Sequence, residues 1–207
     1  MYAYAANNPV HYIDPDGKEI DACFLVTSYE KTLYGWMAKG TLTITDKDNG
    51  KSISVDAYSG GKGSASDGVS LPLPLGIYDI LEQKEKPSYF RLEAKDSNYG
   101  NDQVDGIPIE QGIIRLHYQG GTYGCLCVDL GKESAEYSDF VALIKNTTIS
   151  KVSVQSKYTN KFLKFFFRKE SVIKFGSLSV VQNKGIVYQD LYAPKQDKQK
   201  YTHQRMK

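Results

Sequence analysis

The feature that most constrains this chain is a succession of short runs rich in Val, Ile, Thr and aromatic residues, each ended by Gly, Asn, Pro or Asp. Branched and aromatic side chains pack well on a pleated surface, and the residues between the runs are turn formers. The 16 tyrosines among 207 residues favour strands further. We therefore predict strands at 23–26, 40–45, 53–55, 77–81, 113–118, 126–130, 149–154, 161–167, 172–181 and 185–192.

Two local signals add detail to this pattern. The Asn49-Gly50 step between the second and third predicted strands suits a tight hairpin turn. Residues 133–146 carry acids early, Lys145 late and clustered apolar residues between them, which predicts one amphipathic helix. Residues 82–106 are polar and rich in turn formers, so we predict no strand there. The predicted fold class is mainly β with one helix.

Charge divides the chain into two parts of opposite sign. Residues 151–207 hold 13 Lys and Arg against three Asp and Glu, whereas residues 1–150 hold 13 against 21. We expect a linker at 1–18, an acidic domain at 19–156 and a basic extension at 157–207, with a disordered tail from about residue 194. Residues 157–169 interleave Phe and Tyr with Lys and Arg, which suits nucleic acid, anionic cell-wall polymer or a neutralising partner. A strand with a solvated face is the preferred alternative, and the lack of an acidic cluster argues against a nuclease.

Cysteine usage and hydropathy limit the cellular setting. The chain has three cysteines, an odd number, so at least one thiol should be free. No run of 18 apolar residues is present, so no membrane span is expected. The first residues lack the basic and apolar regions of a signal peptide, so if the protein works outside the cytoplasm, another system must deliver it.

The residues with chemical potential are concentrated between Ile113 and Asp129, which read as a strand, a glycine-rich loop and a second strand. Strand alternation places one set of side chains on an apolar face: Ile114, Leu116, Tyr118, Leu126, Val128 and Leu130. The opposite face gathers Arg115, His117, Cys125, Cys127 and Asp129. This arrangement brings a base beside a nucleophile, because an imidazole can take the proton of a thiol and leave a reactive thiolate. The other two histidines, His11 and His203, lie in the leader and the tail.

Strand register does not choose between the two thiols. An ideal hairpin pairs His117 with Cys127 and leaves Cys125 on the diagonal. The neighbouring Gly124 favours Cys125, because glycine lets a substrate approach the backbone closely. Backbone N–H groups at Gly124 and Cys125 could receive an oxyanion, with the Thr122 or Tyr123 hydroxyl adding a hydrogen bond. His117 would also need an orienting group, either a backbone carbonyl or Asp129.

Three structural alternatives stand beside the catalytic interpretation. Cysteines are often simply buried small apolar residues. A metal site could use Cys23, Cys125, Cys127 and His117, although no Cys-x-x-Cys pair is present and we expect no metal and no cofactor. Arg115 and Asp129 could form a solvated cross-strand pair.

The first 18 residues, MYAYAANNPVHYIDPDGK, closely resemble the end of the core of Rhs/YD-repeat proteins, which precedes a variable toxin domain. The matching residues are Tyr2, Tyr4, Asn7, Asn8, Pro9, Val10, Tyr12, Asp14, Pro15 and Gly17. Lys18 stands where that family usually has Leu, at its self-cleavage point. The resemblance implies a toxin tip whose partners are an Rhs shell, secretion machinery and a cognate immunity protein.

A second resemblance concerns the site itself. The pattern His117, then Thr122-Tyr123-Gly124-Cys125, is similar to the signature of L,D-transpeptidase-like domains, and its spacing is closest to the type VI-delivered effectors of that kind. Residues 57–61 (AYSGG) and 71–78 (LPLPLGIY) are similar to that family's SGxG and PxPxGxY elements. Tyr123 stands where many transpeptidases have His, and Tyr118 follows His117 where Gly is usual.

This second resemblance implies a fold and a reaction. The fold would be an L,D-transpeptidase-like β-sandwich or barrel. Cys125 would attack the carbonyl of an L-residue in a peptidoglycan stem tetrapeptide and release the terminal D-amino acid. Arg115 would bind a substrate carboxylate, and the stretch Ser59, Gly60 and Gly61 would border the cleft.

The expected function is that of an antibacterial toxin delivered into the periplasm of a target bacterium for interbacterial competition. Hydrolysis of the acyl-enzyme would make it an L,D-carboxypeptidase, whereas transfer to a D-amino acid or another stem would make it an L,D-transpeptidase. The alternatives are another cysteine peptidase and a non-catalytic module that binds cell wall or nucleic acid. Nucleic acid is not the expected partner.

Overall fold

The computed structural model describes residues 19–63, 70–107, 113–155 and 169–183. Within these ranges, nine strands and one helix follow one another along the chain. The strands are β1 (Ile20–Thr32), β2 (Gly35–Asp46), β3 (Ser52–Gly60), β4 (Gly76–Glu82), β5 (Phe90–Ala94), β6 (Arg115–His117), β7 (Leu126–Val128), β8 (Ser150–Gln155) and β9 (Lys169–Gln182). The helix, α1 (Ala135–Lys145), lies between β7 and β8 in the sequence.

The strands form a sheet that closes on itself. Neighbours follow the order β1-β2-β3-β7-β6-β5-β4-β9, and β9 also pairs in parallel with β1. These eight strands therefore make a closed barrel, while β8 pairs with the first half of β9. Closure pairs backbone groups that an edge strand would leave open. The fold class, mainly β with one helix, is confirmed.

Period-two alternation fills the barrel with apolar side chains. Successive inward positions of β1 are Ile20, Ala22, Phe24 and Val26, all at most 1% exposed. The β1–β9 contact that closes the barrel needs a glycine, because a Cβ at Gly176 would lie 2.0 Å from the Ile20 carbonyl oxygen.

The hairpin and the helix form where the sequence predicts them. The β2–β3 pair is antiparallel with Thr45 opposite Ser52, so the Asn49-Gly50 turn is confirmed. Helix α1 begins after Ser134, whose hydroxyl accepts the backbone N–H of Tyr137 and caps the first turn.

Two expectations about strands are wrong. Residues 82–106 contain β5, whose alternation of apolar and charged residues was overlooked in a polar context. Strands β6 and β7 are parallel, not a hairpin, with Leu116 opposite Leu126 and His117 opposite Cys127. The physical reason is that β7 also pairs antiparallel with β3, from Ala57 opposite Val128 to Ser59 opposite Leu126. The loop between β6 and β7 therefore returns the chain to the end of the sheet at which β6 begins, so that β7 runs in the same direction as β6.

Strand β9 lies beyond the boundary expected at residue 156, and it occupies the place between β4 and β1. The barrel accordingly extends to Gln182, because the strand that closes it comes from the basic part of the chain. The strand predicted at 172–181 is confirmed. Predictions for 1–18, 157–168, 185–192 and the tail from residue 194 lie outside the described residues.

Candidate active site

His117 stands at the end of β6, on the outer face of the barrel, and is only 6% exposed. Its Nδ1 lies 2.7 Å from the carbonyl oxygen of Tyr118. Because that oxygen can only accept, Nδ1 carries the proton and Nε2 keeps its lone pair. The Tyr89 ring stacks on the imidazole with centroids 4.6 Å apart and an interplanar angle of 13°. The orienting group is thus a backbone carbonyl, while Asp129 is exposed.

Cys127 is the thiol that the structure places at the imidazole. Its Sγ lies 3.6 Å from Nε2 of His117, and the two residues are direct partners in the β6–β7 register. Cys127 has no exposed surface and packs with Met37 and Tyr58. Burial raises the pKa of the Cys127 thiol to about 12, and the nearby Cys125 adds to the increase.

The resting pair is accordingly a neutral thiol beside a neutral imidazole. Burial lowers the pKa of His117 from its usual 6.5, the Tyr118 carbonyl opposes this, and the charge of Lys86 adds to the lowering. A neutral imidazole at physiological pH is ready to accept a proton. The proton of a thiol would therefore move during attack rather than before it.

Cys125 is partly exposed, unlike Cys127. Its Sγ lies 3.9 Å from the Ile113 carbonyl oxygen. Burial raises the pKa of the Cys125 thiol, and Arg115 opposes the increase through its backbone N–H and its charge. Of the two thiols, Cys125 has surface that a substrate can reach, and Cys127 has the contact with the imidazole.

Thr122 fixes the loop that precedes the thiols. Its hydroxyl donates to the Cys125 carbonyl at 2.8 Å and accepts the N–H of Gly124 at 3.1 Å. The Gly124 N–H therefore donates to Thr122, and an oxyanion would have to displace this hydrogen bond. Tyr123 is exposed, and a Cβ at Gly63 would lie 2.8 Å from its ring.

Ser59 is a buried support of this loop. Its hydroxyl donates to the Gly124 carbonyl at 2.8 Å and accepts the N–H of Leu73 at 2.7 Å, with no exposed surface. The glycines that follow are required by packing, since a Cβ at Gly60 would lie 2.7 Å from a backbone nitrogen and one at Gly61 2.4 Å from the Met37 Cβ. Ser59, which the sequence placed at the border of the substrate cleft, is thus a buried residue that supports the loop before Cys125.

Arg115 is held in a buried ion cluster. Its two terminal nitrogens donate to the two carboxylate oxygens of Asp102, each at 2.7 Å. Arg91 joins the cluster by donating to Glu93 and lies 3.1 Å from Asp102. The alternative of an Arg115–Asp129 pair is therefore wrong. Among the described residues, Asp102 is the non-glycine residue with a positive φ, at 63°.

Sequence reasoning missed several residues that shape the site. No sequence pattern marks Tyr89 as a site residue, whereas the alternation of apolar and charged residues in β5 could have identified Arg91 and Glu93. Ser70 was also overlooked: its hydroxyl accepts the N–H of Gly61 at 2.8 Å and lies 3.1 Å from the Thr122 carbonyl. Tyr89 stacks on His117, and Ser70 contacts Thr122, so these two act on residues distant in the sequence, whereas Arg91 and Glu93 bond each other and the loop after β5.

Cys23 does not join the site. It lies on β1, between Thr43 on β2 and Ser179 on β9. In the four described ranges, no three His, Cys, Asp or Glu side chains are grouped to hold a metal ion.

The chain matches no protein-family model, no curated protein and no solved structure in the comparisons with known proteins. The helix in the described part of the chain is too short to cross a membrane.

Proposed function

We propose that this chain is a cysteine-dependent acyl-transfer enzyme that acts on peptidoglycan stem peptides. The observation that carries the proposal is the imidazole of His117, whose Nδ1 donates to the Tyr118 carbonyl and whose ring lies beside the Cys127 thiol, 3.6 Å from Nε2 and 3.8 Å from Nδ1. A fixed tautomer with a free Nε2 beside a cysteine is the arrangement that thiol nucleophiles require. The finer fold assignment, an L,D-transpeptidase-like barrel, belongs to the same proposal and is supported by the Thr122-Tyr123-Gly124-Cys125 pattern.

We take Cys125 as the nucleophile, because an attacking sulfur must meet the substrate carbonyl and Cys127 has no exposed surface. The Cys125 Sγ contacts the Ile113 carbonyl oxygen at 3.9 Å, so the proposal requires this thiol to turn toward His117 in the reacting complex. The Cys125 thiol would give its proton to Nε2 of His117 while its sulfur forms a bond to the carbonyl carbon. Collapse of the intermediate breaks the amide bond, and the imidazolium returns the proton to the departing amine.

The acyl-enzyme would then pass to one of three acceptors. Water yields an L,D-carboxypeptidase, whereas a free D-amino acid or the amine of another stem yields exchange or cross-linking. The setting of a toxin tip, with an immunity partner and delivery into the periplasm, is proposed from residues 1–18 alone. Another cysteine peptidase remains the alternative, since the same base and thiols serve any amide.

The test is to incubate the purified protein with muropeptides and identify the products by mass spectrometry. We expect loss of the terminal D-residue from tetrapeptide stems, and we expect Cys125→Ala and His117→Ala each to abolish it. Cys23→Ala is the matched control, because it removes a partly exposed thiol elsewhere on the barrel and should leave the activity unchanged.

Three outcomes would contradict parts of the proposal. Activity that survives in Cys125→Ala and disappears in Cys127→Ala would assign the nucleophile to the buried thiol. Cleavage at bonds other than the terminal one would identify a different peptidase. Full activity in both His117→Ala and Cys125→Ala would refute the dyad altogether.

A further inference from the structure

An open depression of about 380 Å³ lies between the end of β3 and the loop that follows β6. Its lining residues are Tyr58, Lys62, Gln119, Gly120 and Gly121. Tyr58 is the direct β3 partner of Cys127 in the sheet. The depression is therefore one strand away from the contact between His117 and Cys127.

Hydrogen bonds hold the walls of the depression in place. The Tyr58 hydroxyl donates to the Gly120 carbonyl at 3.0 Å and accepts the N–H of the same residue at 2.8 Å. The backbone N–H of Thr122 donates to the carbonyl of Lys62 at 3.1 Å, which ties the far side of the loop to the segment after β3. A preformed site of this kind loses little conformational entropy when a ligand binds.

Lys62 gives the depression its charge. Its Nζ lies 3.6 Å from the centre of the Tyr58 ring, so a cation–π contact positions the ammonium over the depression. In the described ranges no carboxylate forms an ion pair with Lys62, whereas Lys39 is paired with Glu30 at 2.8 Å. The ammonium can donate up to three hydrogen bonds.

We infer that Lys62, held over the Tyr58 ring beside the Gly120–Gly121 turn, binds a carboxylate of the peptide substrate, so that the site selects peptides with a free C-terminal carboxylate. This inference rests on the proposed function. The other cation that sequence suggested for a substrate carboxylate, Arg115, already has both terminal nitrogens bound to Asp102. Lys62 is exposed and shares the depression with Tyr58, the sheet partner of Cys127. The anionic groups of an unmodified peptide are carboxylates.

The experiment compares two forms of one tetrapeptide whose sole carboxylate is its C-terminus: the free acid and the C-terminal amide. Binding is measured by calorimetry with the 207-residue chain carrying Cys125→Ala, alone and combined with Lys62→Met, Lys62→Arg or Lys51→Met. Lys51 is an exposed lysine in the turn between β2 and β3, so Lys51→Met is the matched control. Circular dichroism checks that each variant is folded.

We expect the acid to bind at least tenfold more tightly than the amide. Lys62→Met should abolish this preference, because it should weaken binding of the free acid and leave binding of the amide unchanged. Lys62→Arg should retain part of the preference, and Lys51→Met should retain all of it. Equal binding of acid and amide, a preference that survives Lys62→Met, or no binding of the acid would each overturn the inference.

Turnover by the wild-type protein separates this inference from the proposed function. A Lys62-dependent preference for the acid without cleavage of any peptide would refute the proposed function and leave the carboxylate site standing. Cleavage of acid and amide with equal kcat/KM would support the function and refute the carboxylate site.

Discussion

Replacing Ser59 with alanine is expected to destabilise the barrel by about 2–3 kcal/mol, although the substitution removes a single oxygen. That oxygen satisfies two buried backbone groups, the N–H of Leu73 at 2.7 Å and the carbonyl of Gly124 at 2.8 Å. Ser59 has no exposed surface, so water cannot replace the hydroxyl without rearrangement.

The magnitude follows from two opposing contributions. Each buried group left without a partner costs about 1–3 kcal/mol, while removing the buried hydroxyl itself returns about 1–2 kcal/mol of desolvation. Taken at the middle of these ranges, the net loss is about 2–3 kcal/mol, which corresponds to a decrease in the folding equilibrium constant of about 30- to 150-fold. Because Gly124 precedes Cys125, the loosened carbonyl should also lower turnover at the proposed nucleophile.

Urea unfolding followed by fluorescence measures this loss as a shift in the midpoint at constant m-value. The matched control is Ser54→Ala on the same strand, where the hydroxyl bonds the Thr43 hydroxyl at 2.8 Å on the exposed face. Solvent can replace that bond, so the control should lose less than about 0.5 kcal/mol. Equal effects of the two substitutions would refute the reasoning from burial.

Two further perturbations test the environment of the site. Asp102→Asn leaves Arg115 buried without its carboxylate partner, so we expect the free energy of unfolding in urea to fall by about 3–5 kcal/mol. The control, Glu30→Gln in the exposed pair with Lys39, should lose at most about 1 kcal/mol. Similar losses in the two variants would contradict a buried ion cluster. Burial lowers the pKa of folded His117 below 6.5, so the unfolded chain binds the proton more readily, and the free energy of unfolding should fall as the pH drops from about 6.5 through the lowered pKa. Above pH 6.5 this contribution is constant, and unfolding curves of His117→Asn should lack this component of the pH slope; an unchanged slope would show that His117 titrates normally.

The outline of the site could be predicted from strand parity. Alternation correctly separated Leu116 and Leu126, which pack in the barrel, from His117 and Cys127, which meet on its outer face. Parity depends only on the local backbone and holds for either direction of pairing. For that reason the faces of these four side chains were predicted correctly although the hairpin was not.

Partners across the sheet could not be predicted in the same way. The bidentate pair of Arg115 with Asp102 depends on the loop after β5 folding over the barrel, and the stacking of Tyr89 on His117 depends on the entry to β5. Neither contact leaves a periodic signal in the sequence. The role of Ser59 likewise emerges only when β3 lies under the loop that follows β6.

The sequence by itself determined that this protein is mainly β, that its one described helix follows Ser134, and that an imidazole and two thiols share a polar face. Those properties follow from propensities, caps and alternation within a few residues. Tertiary structure decided that β6 and β7 run parallel, that β9 closes the barrel, and that Cys127 lies at the imidazole while Cys125 meets solvent. These outcomes depend on contacts between segments that are distant in the sequence. The free energy of such a contact depends on how the whole barrel packs, so no single segment determines it.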